Sequence, residues 1–242
     1  MKIGLVLSST PAYSETFFNS KIEGLQKNGF EVVLFVNSKD THFDLCTVKE
    51  QVQFRSFFIF LKSLGLILTK LSTLLKFISL ERKQNVSFKR ILKKLILNQH
   101  ILQESNVDWL HFGFATQAIG RENLAKAVGA KMAVSLRGFD IGIYPLKNPK
   151  CYDLLWLNIN KLHVISNDLL NLAYANGFKK NVPYQKITPA IDTSFFINQS
   201  LKDASNKNLL QLMTIGRLHW KKDYTSIIIA LKNLKDIGID FE

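Results

Sequence analysis

The sequence predicts an α/β protein: one parallel sheet whose strands are separated by helices. Three observations carry this. Apolar runs rich in Val, Ile and Leu recur at residues 2–8, 31–37, 107–113, 131–138 and 161–166. Segments with helical spacing lie between them and stop at Gly29, Gly129 and Gly177. The chain is 47% hydrophobic and 21% charged with only 12 Gly and 5 Pro among its 242 residues, which excludes disordered, collagen-like and linker chains. Apolar strands alternating with helices imply a parallel sheet covered on both faces. The expected arrangement is doubly wound and Rossmann-like.

In chain order, the run at 2–8 ends after about six apolar residues and reads as a buried first strand, not a signal peptide. A helix over 15–28 places Phe18, Ile22 and Leu25 on one face and stops at Asn28-Gly29. The strand at 31–37 follows. Beyond the basic helices described next come a strand at 107–113, a helix at 116–128, a strand at 131–138, a helix around 150–158, a strand at 161–166 and a helix at 167–176. The segment KITPAID at 186–192 closes this part. Residues 1–196 form the first domain, and the polar stretch INQSLKDASNKN, 197–208, reads as a linker. A second unit at 209–242 holds a strand at 209–216, a helix at 224–235 and the start of another strand. Such a piece cannot bury a core of its own, so either it packs on the first domain or the chain is part of a longer protein, which is the expectation.

Charge is concentrated in one block. The chain has 32 Lys+Arg against 19 Asp+Glu, net +13. Residues 54–102 alone carry 10 basic residues and one acid, Glu81. Charges at Arg55, Lys62, Lys70 and Lys76 interrupt its apolar run too often for a membrane span. Phe57, Phe60, Leu61, Leu64, Leu68, Leu71, Leu75 and Ile78 recur at steps of three and four, which predicts a helix, and Lys89-Arg90 and Lys93-Lys94 continue the basic face on a second one. Two readings stand: a basic-faced helix packed on a core, or one whose Lys-rich face rests on anionic lipid. The block lacks the aromatic and polar interleaving of a base-reading surface, so nucleic acid is not an expected partner. Cys46 and Cys151 make neither a disulfide scaffold nor a zinc spacing, which places the chain in a reducing, cytoplasmic compartment.

Ligands of open parallel sheets bind at the carboxyl ends of the strands. The residues there are Ser14 and Glu15 after the first run, His111 and Gly113, Arg137, Gly138 and Asp140, Ser166 and Asp168, then Asp192. Gly216, Arg217 and Lys222 hold the same place in the second unit. Ser166 also suits a helix N-cap, Asp192 a turn, and His111 a satisfied structural histidine.

The series SETF at 14–17, HFG at 111–113, LRGFDI at 136–141, VISNDL at 164–169, Gly177, ID…F at 191–195 and GRLHWKKD at 216–223 resembles the family 4 glycosyltransferases of the GT-B fold. The likeness is nearest to bacterial enzymes of exopolysaccharide or colanic-acid-type synthesis, and it runs through nearly the whole chain. The resemblance implies an acceptor-binding Rossmann-like domain at 1–196 and the opening of a nucleotide-sugar-binding domain at 209–242. It implies retaining sugar transfer from a nucleotide sugar to a glycan or lipid-linked acceptor, at the inner face of the plasma membrane and without metal or other cofactor. Arg137, Asp140 and His111 would be catalytic; Ser14, Glu15 and Gly138 would form the acceptor-side loop. Gly216, Arg217 and Lys222 would hold the donor diphosphate, whose growing negative charge cations stabilise. The chain departs from the pattern twice. Asp223 stands where many relatives have Gly, and Arg137 stands where many have His, so no conventional general base follows from the motif. The Glu-x7-Glu pair of such enzymes is not within the 242 residues.

Two other classes compete with this expectation. One is a truncated, non-catalytic module that binds the acceptor or the membrane. The other is a nicotinamide-dependent enzyme, which GLVLSST argues against because it offers one Gly where G-x-G-x-x-G is needed.

Overall fold

The computed structural model describes residues 1–12, 15–52, 69–189 and 210–242, in a chain that divides into two compact units, 1–190 and 191–242. Seven strands pair in the first unit: β1 (Lys2–Val6), β2 (Glu31–Val36), β3 (Thr47–Glu50), β4 (Trp109–Phe112), β5 (Lys131–Leu136), β6 (Lys161–Val164) and β7 (Tyr184–Lys186). Their order is β3-β2-β1-β4-β5-β6-β7, and every pairing is parallel. The chain runs outward one way from β1 and the other way from β4, so the topological switch point lies between them. This is the α/β, Rossmann-like fold that the sequence predicts.

Alternation along the strands sorts side chains onto two faces. Phe35, Leu110, Phe112, Val134 and Val164 face the larger core. The helices after β3 cover it: α2 (Leu71–Lys83), α3 (Phe88–Leu97), α4 (Gln99–Leu102), α5 (Ala115–Ala118), α6 (Leu124–Val128), α7 (Phe139–Gly142), α8 (Tyr144–Lys147), α9 (Asp153–Asn158) and α10 (Asn167–Ala175). On the opposite face α1 (Thr16–Lys27) lays Phe18 and Ile22 over Leu5, Val32 and Leu34. Gly113 permits that contact: a Cβ there would collide with Leu7 and lie 2.8 Å from the Phe18 ring.

Cover on both faces holds only in part. Among the described residues α1 is the one helix on its face, and it lies over β1 and β2. Burial alternates along β4 and β6 accordingly, because Trp109, His111, Lys161 and His163 face the uncovered side.

The basic block is a packed element where it is described. Its 53–68 portion lies outside the described residues. Phe77 and Glu81 of α2 are buried, and Glu81 is the acid that anchors it. Lys94 Nζ donates to Glu81 Oε2 at 2.6 Å and Asn123 Nδ2 to Oε1 at 3.0 Å, so this carboxylate ties α2 to α3 and to the start of α6. Leu71 and Leu75, which the periodicity assigns to the apolar stripe, are instead exposed, as is Phe88. No helix among the described residues is long and apolar enough to cross a membrane.

Other differences have local causes. The single helix expected at 116–128 is two, broken where Gly120 takes a left-handed φ of 76°. The edge strand β3 escapes the apolar search because TVKE is polar and mostly exposed. The second unit holds a short 3₁₀ turn, Trp220–Lys222, and α11 (Tyr224–Asp236). The strand expected at 209–216 is there a single parallel bridge, Leu210 to Phe241. The linker at 197–208 lies outside the described residues.

Candidate active site at the carboxyl edge of the sheet

Three sequence candidates meet after β5. Gly138 takes φ 125°, a conformation that favours glycine, and turns the chain into α7. Asp140 is 2% exposed. Its Oδ1 accepts the backbone N–H groups of Arg137 at 3.0 Å and Gly138 at 2.9 Å, and its Oδ2 that of Ala115 at 3.2 Å. Tyr152 donates its hydroxyl to the Asp140 carbonyl at 2.6 Å. Asp140 thus fixes the loop after β5 to the start of α5. Its carboxylate meets Arg137 through the main chain.

Aromatic rings orient the guanidinium. Its carbon lies 4.0 Å from the Phe17 ring centre, 4.6 Å from Phe18 and 5.8 Å from Phe114, and Nε donates to the Gly113 carbonyl at 3.3 Å. Ring faces attract a cation and hold a planar guanidinium well. Burial lowers the Arg137 pKa, and the negative charges of Asp140 and Glu15 oppose that. Glu15, at the start of α1, accepts the Ala12 N–H at 3.2 Å. Ser14 lies outside the described residues.

His111 joins a second group that the sequence did not single out. Its Nε2 lies 2.8 Å from Ser135 Oγ, which lies 2.8 Å from His163 Nδ1. His163 Nε2 is 3.1 Å from the Ile187 carbonyl, and Lys21 Nζ is 3.1 Å from His111 Nδ1. The carbonyl can only accept, so His163 carries its proton on Nε2 and accepts on Nδ1. Ser135 therefore donates to His163, His111 donates to Ser135, and Lys21 donates to His111. One carbonyl sets the direction of the whole chain. Desolvation pushes His111 and His163 below the ordinary histidine range, His111 furthest, so both are neutral. Burial, reinforced by the Arg137 charge, lowers the Lys21 ammonium from 10.5 to about 7.

Lys21, His111, Arg137 and His163 line a cavity of about 730 Å³ on the α1 face of the sheet. Its floor is the uncovered side of β4, β5 and β6. The motif signals behind Lys21, Ser135 and His163 are faint. Each is one polar residue in an otherwise ordinary helix or strand, and only the parallel register aligns Ser135 with His163.

The remaining candidates lie in the second unit. Arg217 and Lys222 are exposed, and the Lys222 stem passes over Gly216, 3.6 Å from where a Cβ would stand. Asp223, with φ 49°, caps α11, and its carboxylate accepts the Ser226 N–H at 3.4 Å and hydroxyl at 2.8 Å. The helix N-terminus assigned to the diphosphate therefore already carries a carboxylate. Ser166 caps α10 through the Leu169 N–H at 3.3 Å, the structural role its position suggests. Asp192 lies outside the described residues. No group of three His, Cys, Asp or Glu among the described residues could hold a metal ion.

No family model matches the sequence, and no curated protein matches it. A solved crystal structure, that of a glycosyltransferase from Rickettsia africae ESF-5, is similar over 97% of this chain, with a TM-score of 0.55 and 14% sequence identity. This chain spans 57% of that structure's length. At such identity the likeness establishes a shared fold, the Rossmann-like α/β architecture of a glycosyltransferase.

Proposed function

We propose that this chain is the acceptor-side part of a retaining glycosyltransferase of family 4 that moves a sugar from a nucleotide sugar to a glycan or lipid-linked acceptor in cell-surface polysaccharide synthesis. The observation that carries this is the fold shared with a solved glycosyltransferase along 97% of the chain. The residues fit the chemistry. Arg137 is presented at the switch-point edge on a loop that Asp140 fixes, so its position is set before any ligand arrives. Arg217 and Lys222 would stabilise the leaving diphosphate as cations, with no metal or other cofactor taking part. Histidines 111 and 163 are neutral and spent on each other through Ser135, so in this reading His111 positions Lys21.

A second reading is a non-catalytic module that binds acceptor or membrane. The exposed Leu71, Leu75 and Phe88 beside Lys76, Arg82, Lys89 and Arg90 favour a peripheral contact with anionic lipid at the inner face of the plasma membrane. The deciding measurement is transfer of labelled sugar, from a panel of nucleotide sugars, into lipid-extractable or polymeric product by membranes carrying the protein. Transfer that Arg137→Ala abolishes supports the enzyme. Unchanged transfer when the protein is deleted overturns it.

A further inference from the structure

The cavity on the α1 face carries an assignment that goes beyond the proposed sugar transfer and shares Arg137 with it. Its volume of about 730 Å³ lies within the roughly 300–1,000 Å³ of small-molecule sites. Ile3, Leu25, Trp109 and Ile165 give it apolar walls. Its charged side chains are Lys21, Arg137 and Lys161, and among the described residues no Asp or Glu lines it. Lys21 is held as a donor at the head of the His111–Ser135–His163 chain, so its amine is aimed before any ligand arrives. A buried amine facing a guanidinium is disfavoured as a cation until an anion joins them.

We propose that this cavity binds a single-chain amphipathic anion, its phosphate or carboxylate headgroup at Lys21 and Arg137 and its apolar chain along Ile3, Leu25 and Trp109. The charge lining selects the head and the walls select the tail. Neither half alone satisfies the site: a bare anion leaves the walls wet, and a neutral chain leaves the cations unpaired. The lowered Lys21 pKa agrees with a site awaiting its counter-charge.

The test titrates the 242-residue protein with dodecyl phosphate, dodecanoate, dodecanol and inorganic phosphate, each below its micelle concentration. Calorimetry is the readout, with tryptophan emission reporting on Trp109. One-to-one binding of dodecyl phosphate or dodecanoate is expected, roughly tenfold or more tighter than dodecanol or phosphate, and weakened to a similar degree by Lys21→Met. Which headgroup binds better identifies the source. Gly24→Phe guards against a variant that merely unfolds: Gly24 lines the cavity on α1, and a Cβ there meets nothing within 4 Å. The larger side chain should fill the cavity, abolish binding and leave the fold intact. Dodecyl phosphate and dodecanoate binding no better than dodecanol, or binding untouched by Gly24→Phe, would overturn the proposal. So would dimerisation with rising protein concentration without ligand binding, since the face would then be covered by a second copy.

Discussion

The two faces of this sheet are built from the same strands and do opposite things. On the face under α2–α10 the five strands β1, β2, β4, β5 and β6 contribute apolar side chains to one closed core, and the buried carboxylate of Glu81, which fixes the basic helices, is met by Lys94 and Asn123. On the α1 face that packing stops at β1. Beyond it the strands present His111, Ser135 and His163, each engaged by the next, and an open cavity. Helix cover excludes water and gives stability, whereas a half-covered face must satisfy its polar groups among themselves. The second face costs folding energy and in return holds polar groups in place beside space for a ligand.

Truncations on the two faces should separate them by size. Phe77, on α2, is 0% exposed, and Phe77→Ala should lower unfolding free energy by about 3–5 kcal/mol because a closed cavity remains. Leu25 lines an existing cavity, so Leu25→Ala removes contacts without creating a sealed void and should cost about 1–2 kcal/mol. Urea titrations of both variants decide this. Equal losses would mean that the α1 face is as tightly packed as the other.

The edge between the faces gives the next largest effect. Asp140→Ala leaves three backbone N–H groups without their acceptor and should cost roughly 2–3 kcal/mol. Arg137→Ala loses its ring contacts, worth about 1 kcal/mol, while removing the one cation the edge presents on that loop. Thermal melts should therefore rank Asp140→Ala well below Arg137→Ala, and sugar transfer should be lost in both. If Arg137→Ala melts as low as Asp140→Ala, the guanidinium is a structural anchor.

The contrast between faces also marks what the sequence disclosed. Strands β1, β2, β4, β5 and β6, the stops at Gly29, Gly129 and Gly177 and the Ser166 cap were legible because they depend on local spacing and local backbone chemistry. The Arg137–Gly138–Asp140 loop was legible as a site candidate, but the partner of the Asp140 carboxylate was not: main-chain donors leave no mark in a sequence. Lys21 resembles any solvated helix lysine between Phe18 and Leu25. His111, Ser135 and His163 are 24 and 28 residues apart, and only the register of β4, β5 and β6 brings them together. Gly120 reads as a tolerable helix glycine until its φ of 76° is seen.

The smallest effect expected is also the most specific to the half-covered face. The Lys21 amine titrates at about 7 in the folded protein against 10.5 as its ordinary value. Between those values the unfolded chain holds a proton that the folded one has released, so stability rises with pH across the window. Below pH 7 both states are protonated, and the folded protein carries the full penalty of a desolvated ammonium. Above 10.5 both are neutral and the penalty is gone. Lys21→Met should therefore raise the melting temperature at pH 6–7 by a few degrees, and the gain should shrink steadily toward pH 10. Differential scanning calorimetry of wild type and variant at paired pH values measures that difference, since titrating groups away from Lys21 cancel between the two proteins while His111 and His163, whose pKa values the Lys21 charge also lowers, shift with it. A gain that does not change with pH would mean that methionine stabilises by packing alone and that the amine keeps its water. A loss at pH 7 would mean that the Lys21 contact to His111 holds α1 to β4, which would make this chain of hydrogen bonds part of the fold's support instead of a device for aiming a charge.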